Sequence, residues 1–285
     1  MGWLFLLLTT FGFAFMTLCS RLATKRGGDP FGFSFFLVVG ASIFSFVAML
    51  ATGHMYISKE IITIGIIGGV GGIIAVVALS KALQIGHYGF SVSILSASFV
   101  LLVIYSVLVW KEPVMLEGIV IILVSIFLMD TSEKKEGESK AVWGKWVLIM
   151  LVCFSTNGFA LISQGYASLQ PKEENFAFLF MSYLSSALFL VPFVIKGRKE
   201  KFTKTNLIFG FLAAAGSMTG IFATLKACTY LDKNIVFPVY FSAFNIAGLL
   251  LSVFFFKDKV NLKGLIGVAL GILGVLVVSF KWTLF

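Results

Sequence analysis

Lys81 and Lys226 lie in otherwise apolar sequence and stand 145 residues apart in matching dipeptides, Lys81-Ala82 and Lys226-Ala227. An ammonium in apolar surroundings costs about 2.5–3.5 kcal/mol at mid-bilayer, so such residues face a cavity, a partner or an anionic ligand. The other reading is that the long side chain snorkels to a water boundary, and the sequence leaves both open. Asn157 and Asn245 carry carboxamides into similar surroundings, where the donors and lone pairs need either a neighbouring helix or a bound solute. Ser155, Thr156 and Gln164 extend the polar character around Asn157. Pro238 removes one backbone donor and can break or kink a helix. Its neighbours Tyr240, Ser242 and Asn245 would then face a cavity, or the kink serves packing alone. Ser91, Ser93, Ser96 and Ser98 add hydroxyls, with Ser91 and Ser98 seven residues apart on one helix face. This is the chemistry of recognition. No paired Asp motif, His-Glu zinc pattern or Ser/His nucleophile constellation accompanies it, so bond-making catalysis, a cofactor and a metal are not expected.

The elements that position these groups follow from composition. The chain has 285 residues, 59% hydrophobic and 12% charged, with a mean hydropathy of +1.02. Soluble chains carry about a quarter charged residues, so this one is expected to live in lipid. About 30 Å of hydrocarbon needs roughly 20 apolar residues of helix. That ruler fits ten times between the charged breaks, at 3–24, 31–52, 61–83, 88–110, 114–130, 142–167, 175–195, 206–228, 235–256 and 262–281. The runs are continuous rather than alternating, which favours helices over barrel strands. The amino terminus lacks the basic region of a signal peptide, so the first segment is expected to stay as a membrane helix. Cys19, Cys153 and Cys228 all fall in apolar runs and read as small buried side chains.

The polar stretch 130–140 divides the chain into a first repeat, 1–130, a linker, 131–141, and a second repeat, 142–285. Besides the lysines, Ser96-Ala97 matches Ser242-Ala243, Lys111-Glu112 matches Lys257-Asp258, and Gly118 matches Gly264, in the same order and nearly the same spacing. Five spans per half is an odd number, so the second copy enters the membrane inverted. His87, between spans 3 and 4, aligns with Asp232 and reads as a solvated loop residue or as the carrier of a coupling proton.

Charge then sets an expected orientation. Loops after spans 1, 3, 5, 7 and 9, with the nearby helix ends, hold Arg21, Lys25, Arg26, Lys81, Lys134, Lys135, Lys140, Lys145, Lys196, Arg198, Lys199, Lys201, Lys204, Lys257, Lys259 and Lys263. The opposite side holds Lys59, Lys111, Lys172, Lys226, Lys233 and Lys281. By the positive-inside rule both termini are expected outside and the linker in the cytoplasm. The net charge of +9 therefore reports orientation rather than a nucleic-acid partner. The run Lys196–Lys201 reads as an anchor to anionic membrane lipids.

Gly65/Gly69, Gly68/Gly72, Gly216/Gly220 and Gly267/Gly271 are pairs four apart that let helix backbones approach closely. No Lys-Ser/Thr follows the glycines of span 3, so they are not a phosphate loop.

Two five-span halves, each with an acidic tag after its fourth span (Trp110-Lys-Glu-Pro113; Phe256-Lys-Asp-Lys259) and a glycine-bearing last helix (Gly264, Gly267, Gly271, Gly274), resemble the drug/metabolite transporter superfamily, and the EamA-like branch above all. The resemblance covers essentially the whole chain. It implies an all-α integral membrane protein, ten transmembrane helices as two inverted five-helix repeats around a central cavity, with spans 5 and 10 peripheral. It also implies secondary active transport of a small organic metabolite, an amino acid or related compound, by export across the plasma membrane with alternating access. The similar glucose/ribose porter branch would imply sugar uptake instead, and a structural or signalling membrane protein is the non-transporting alternative. Family members usually keep both termini in the cytoplasm, and the charge count here departs from that pattern.

Overall fold

The computed structural model describes residues 1–85, 88–128, 140–196, 198–256 and 262–280. His87, most of the 131–141 linker and the Lys257–Lys259 tag lie outside them. Every regular element among the described residues is helical. In chain order these are α1 (Gly2–Lys25), α2 (Pro30–Thr52), α3 (Lys59–Ile85), α4 (Tyr88–Ala97), α5 (Phe99–Tyr105), a π-helical turn Ser106–Trp110, α6 (Leu116–Leu128), α7 (Lys140–Ala167), a short 3-10 turn Lys172–Glu174, α8 (Asn175–Ile195), α9 (Arg198–Lys201), α10 (Lys204–Ala227), α11 (Lys233–Phe256) and α12 (Leu262–Phe280). Among the described residues, eight stretches are long and apolar enough to cross a membrane, and two shorter apolar helices, Leu116–Leu128 and Leu262–Val278, bring the set to ten. The short α9 lies between spans 7 and 8.

Local chemistry accounts for several helix starts. The Asp29 carboxylate accepts from the Gly32 N–H at 2.8 Å and Pro30 follows at the first helical position, so α2 begins there. It ends where Gly53 takes φ 71°, a left-handed conformation that glycine adopts without steric cost. The Thr203 hydroxyl caps α10 in the same way as Asp29, accepting from Asn206 N–H at 3.2 Å.

The chain divides into two compact units, 1–73 with 159–230 and 74–158 with 231–285. The division falls within α3 and within α7, so each unit draws on both halves of the sequence. In the first unit α1 packs on α10, α10 on α2 and α2 on α8. Its core joins Met49, Ile61, Ala167, Ala177, Phe178 and Leu225 in one cluster and Cys19, Ala23, Phe33, Phe209 and Ala213 in another. In the second unit α6 packs on α12, and Ala75, Ala78, Ala82, Trp146, Met150 and Cys153 form a core. Cys19 and Cys153 are thus buried and outside any disulfide, as read from the sequence, whereas Cys228, read the same way, is only partly buried.

Two spans differ from the sequence reading. Pro238 was expected to be able to break span 9, yet α11 runs through it without interruption. Proline removes one intrahelical bond only, and here it falls in the second turn of a helix whose first residues are held from outside. The irregularity lies instead in span 4, where the helix tightens to a 3-10 type turn at Ser98 between α4 and α5, with Ser98 keeping right-handed helical dihedrals (φ −61°, ψ −15°), and a π-helical turn closes the span. Serine hydroxyls compete there for backbone carbonyls. Ser98 Oγ donates to Leu95 O at 2.6 Å and Ser106 Oγ to Val103 O at 2.9 Å, each at a joint between segments. Around the first joint the backbone bonds shorten to three residues, Ser98 N to Leu95 O and Leu101 N to Ser98 O, both 3.1 Å.

Candidate functional site

The tightened turn in span 4 is where the polar groups of the second unit converge. The Asn157 carboxamide on α7 donates through Nδ2 to Ser98 Oγ at 2.6 Å and to Leu95 O at 3.5 Å. The Asn245 carboxamide on α11 donates to Ser96 Oγ at 3.1 Å and to its own helix at Phe241 O, 2.7 Å. Two amides from two helices therefore meet hydroxyls on either side of Ala97, and both asparagines remain half-buried rather than sealed. A half-buried amide keeps donor or acceptor capacity that a solute can engage. The turn is thus stabilised by neutral hydrogen-bonding groups. Gly158, the residue after Asn157, lies close to Leu101 of α5, so α7 approaches this segment closely enough that a β-carbon would overlap the leucine side chain.

The other candidates divide as follows. Ser91 is buried and accepts from the indole N–H of Trp146 at 3.1 Å. Ser242 is buried and donates to Gly271 O at 3.3 Å, which ties α11 to α12. Tyr240 stacks on Phe241 at 4.3 Å between ring centroids, and Phe241 faces Phe99 at 5.8 Å. Lys81 is exposed on α3. Lys226 and Gln164 belong to the first unit. The Lys226 ammonium lies over the Phe222 ring at 5.4 Å, and that ring stacks on Phe176 at 4.8 Å. Gln164 Oε1 is buried and has no hydrogen-bond partner among the described residues. A cleft beside the start of α3 is lined by Lys59, Glu60, Thr63, Ile64, Tyr166 and Gln170, none of them a sequence candidate.

The glycine pairs are not equivalent. A β-carbon at Gly65 would lie 2.7 Å from Met181 Cβ, and at Gly68 2.6 Å from the Ser163 hydroxyl. At Gly69 it would fall on the Ser182 carbonyl and the Ser185 hydroxyl, whereas at Gly72 the nearest atom is Ala160 Cβ at 3.8 Å. Across the α1/α10 seam, a β-carbon at Gly216 would lie 2.6 Å from Gly12 O, and at Gly220 3.1 Å from the Phe13 ring. Gly267 and Gly271 are buried on α12.

Two carboxylates that are not among the candidate site residues organise helix starts. Glu112 is the acidic tag after span 4. Its Oε2 accepts from Lys233 N at 2.9 Å and Asn234 N at 3.3 Å, while Oε1 takes the Lys233 ammonium at 2.7 Å. Both charged side chains are nearly buried, 12% and 6% exposed, so solvent screens this pair little. The Lys233 ammonium also lies over the Trp110 ring at 4.7 Å. Asn234 completes the clasp, donating to Glu112 O at 3.3 Å and Pro113 O at 3.0 Å and accepting from the Ser106 hydroxyl. Lys111, just before Glu112, takes φ 54°, a left-handed conformation costly for a side-chain-bearing residue, and so turns Glu112 toward α11. In the first unit Glu174 accepts from Ser58 N at 3.2 Å and Ser58 Oγ at 2.6 Å, and that hydroxyl in turn caps Ile61 N at 3.2 Å at the start of α3. The signal in the sequence was a carboxylate beside a turn. Nothing local showed that its partner lay more than a hundred residues away.

Among solved structures, one crystal structure of a protein shares this fold with a TM-score of 0.71 at 18% identity, covering 96% of this chain and 98% of its own. No curated protein matches the sequence. The profile of the EamA-like transporter family matches residues 1–131 and again 138–280, nearly the whole chain in two stretches. With ten apolar helices and a two-part match of this extent, the chain belongs to the EamA-like transporter family and is a multi-pass membrane protein of the drug/metabolite transporter superfamily.

Proposed function

We propose that the chain is a secondary active transporter that exports an amino acid or related small metabolite across the plasma membrane by alternating access. Membership of a family of small-molecule membrane transporters supports the class. The observation that carries the reading further is the tightened turn of span 4, gripped by Asn157 and Asn245 through Ser98 and Ser96. A turn held by a few hydrogen bonds reorganises at lower cost than a regular helix, and its amides and hydroxyls suit the neutral parts of a polar solute. Tyr240, Ser242 and Ser91 belong to this proposal as supporting polar groups of the same unit, and Lys81 as a cation that would meet a carboxylate, while Gln164 and Lys226 are proposed as solute-contacting groups of the first unit by itself.

Counterflow into proteoliposomes with amino acids, sugars and nucleosides tests it. Accumulation of an amino acid is expected, and Asn157→Leu and Asn245→Leu should each lower its rate by about tenfold or more, the scale of losing one hydrogen bond to a buried partner. Wild-type rates in both variants would overturn the assignment of this turn. A signal confined to sugars would favour uptake of the porter type, and a panel with no signal would favour a non-transporting role.

The proposed orientation keeps both termini outside. In the first unit alone, residues 21–29 and 196–204 hold eight basic and two acidic residues, whereas Lys59, Lys172 and Lys226 at the other helix ends are matched by Glu60, Glu173 and Glu174. That imbalance supports a cytoplasmic location for the basic end. A carboxy-terminal alkaline phosphatase fusion is expected to be active, and a fluorescent green-protein fusion dark. The reverse pattern would reject the orientation.

A further inference from the structure

The α1–α2 connection and the α8–α10 connection, about 170 residues apart in sequence, form one surface of the first unit. Asn206, fully buried in the first turn of α10, ties them. Its Nδ2 donates to Lys201 O at 2.9 Å, and β-carbons placed on Gly28 and Gly32 would lie 2.7 Å from its Oδ1 and 2.5 Å from its Nδ2. The two glycines thus admit the asparagine against both ends of the α1–α2 turn. Lys201 bridges in the other direction, donating to the Phe193 and Lys196 carbonyls that end α8 while its ammonium lies over the Phe31 ring of α2 at 5.4 Å. Arg26 lies over the Phe209 ring of α10 at 5.1 Å.

This juxtaposition gathers cations at the ends of four apolar helices. Lys25, Arg26, Lys196 and Lys204 are exposed there, Arg21 is half-exposed, and Asp29 and Glu200 are the acidic residues of the same segments. Phe202 stands among them, 44% exposed, with its ring against Phe35 and Phe36 at 5.8 and 5.3 Å. An exposed ring that lies in sequence between Lys201 and Lys204, beside the ends of apolar helices that carry further cations, suits an acyl chain on one side and a phosphate on the other. The geometry points to a binding surface for anionic phospholipid headgroups on the first unit, built jointly by residues 21–32 and by Lys196 with residues 200–206. The cations of one segment alone would set orientation. Two segments fixed to each other by Asn206 and Lys201 make a preformed surface.

The test uses the full chain in nanodiscs of phosphatidylcholine with increasing phosphatidylglycerol. Lipid retained through native mass spectrometry and the unfolding midpoint are the readouts, and inorganic phosphate serves as the free-anion probe. Wild-type protein is expected to retain phosphatidylglycerol and to unfold at a higher temperature with it, and phosphate is expected to do nothing. In Lys25→Gln/Arg26→Gln/Lys204→Gln the apparent lipid affinity should fall by about fivefold per residue removed. Lys59→Gln/Lys172→Gln, from the balanced helix ends, should behave as wild type. Should the triple variant lose its fold in phosphatidylcholine alone, the three single variants give the same readout. The proposal falls if wild-type protein is indifferent to phosphatidylglycerol, if the basic-end variants retain it undiminished, or if phosphate alone reproduces the shift.

Discussion

Glu112→Ala is expected to lower the stability of the protein by about 3 kcal/mol or more, the cost of leaving one member of a buried ion pair without its partner. The loss has three sources in the structure. The Lys233 ammonium, 6% exposed, is left facing the Trp110 ring alone. The first two amides of α11, Lys233 N and Asn234 N, lose the carboxylate that accepts them. The favourable meeting of that negative charge with the start of α11 disappears as well. For a chain of this size the shift in unfolding midpoint in detergent is roughly 5–10 °C. Glu112→Ala/Lys233→Met should recover part of the loss, because it removes the stranded charge while the two amides stay uncapped. A single variant that unfolds within a degree of wild type would show that the clasp is dispensable, and a double variant worse than the single would show that the stranded lysine is not the source of the cost.

Gly69→Ala and Gly72→Ala should behave oppositely, although the two glycines sit three residues apart on one helix. At Gly69 a methyl group meets the Ser182 carbonyl, which is backbone and cannot swing aside, so α3 and α8 must separate. Overpacking of this kind costs about 1–3 kcal/mol. Separation would also strain the hydrogen bond from Ser186 Oγ to Gly69 O, 2.8 Å. At Gly72 the methyl group meets Ala160 Cβ at 3.8 Å, an ordinary contact, and stability should hold or rise by up to about 1 kcal/mol, the preference of a helix interior for alanine over glycine. Gly69→Leu should fail to accumulate as folded protein. Thermal unfolding followed by size-exclusion chromatography separates these cases. Equal midpoints for the two alanine variants would contradict the close approach of α3 to α8.

The ten spans were legible because a hydrocarbon slab imposes a length on every crossing helix, and that length can be read without knowing what packs on what. Close packing at glycines was legible for a similar reason, since Gly65 and Gly69 share a helix face. What separates Gly69 from Gly72 is the identity of the atom opposite, which belongs to α8 in one case and α7 in the other. Span 4 was read as one helix because its serines are compatible with both a regular helix and one that tightens at Ser98. The choice depends on Asn157 and Asn245, each supplied from a distant segment. Of the two readings open for Pro238, a broken helix or a kinked one, α11 excludes the first, because a lost backbone bond costs little near a helix start that Glu112 and Asn234 hold in place. Glu112 itself was read as part of a family signature, and its burial against Lys233 was invisible to any local pattern. That Asn157 and Asn245 need partners was legible, because a carboxamide in an apolar run demands one wherever it comes from.

The pairing of α1 with α10 carries a consequence for biosynthesis. About 180 residues separate the end of one helix from the start of the other, and at translation rates of about 5–20 residues per second the gap amounts to roughly ten to forty seconds. Through that interval α1 sits in the bilayer with its Gly12 notch unfilled, since the backbone that occupies it, at Gly216 and Gly220, has not yet been made. The α1 helix is therefore made long before the helix that packs it, and the order of synthesis and the order of assembly run against each other.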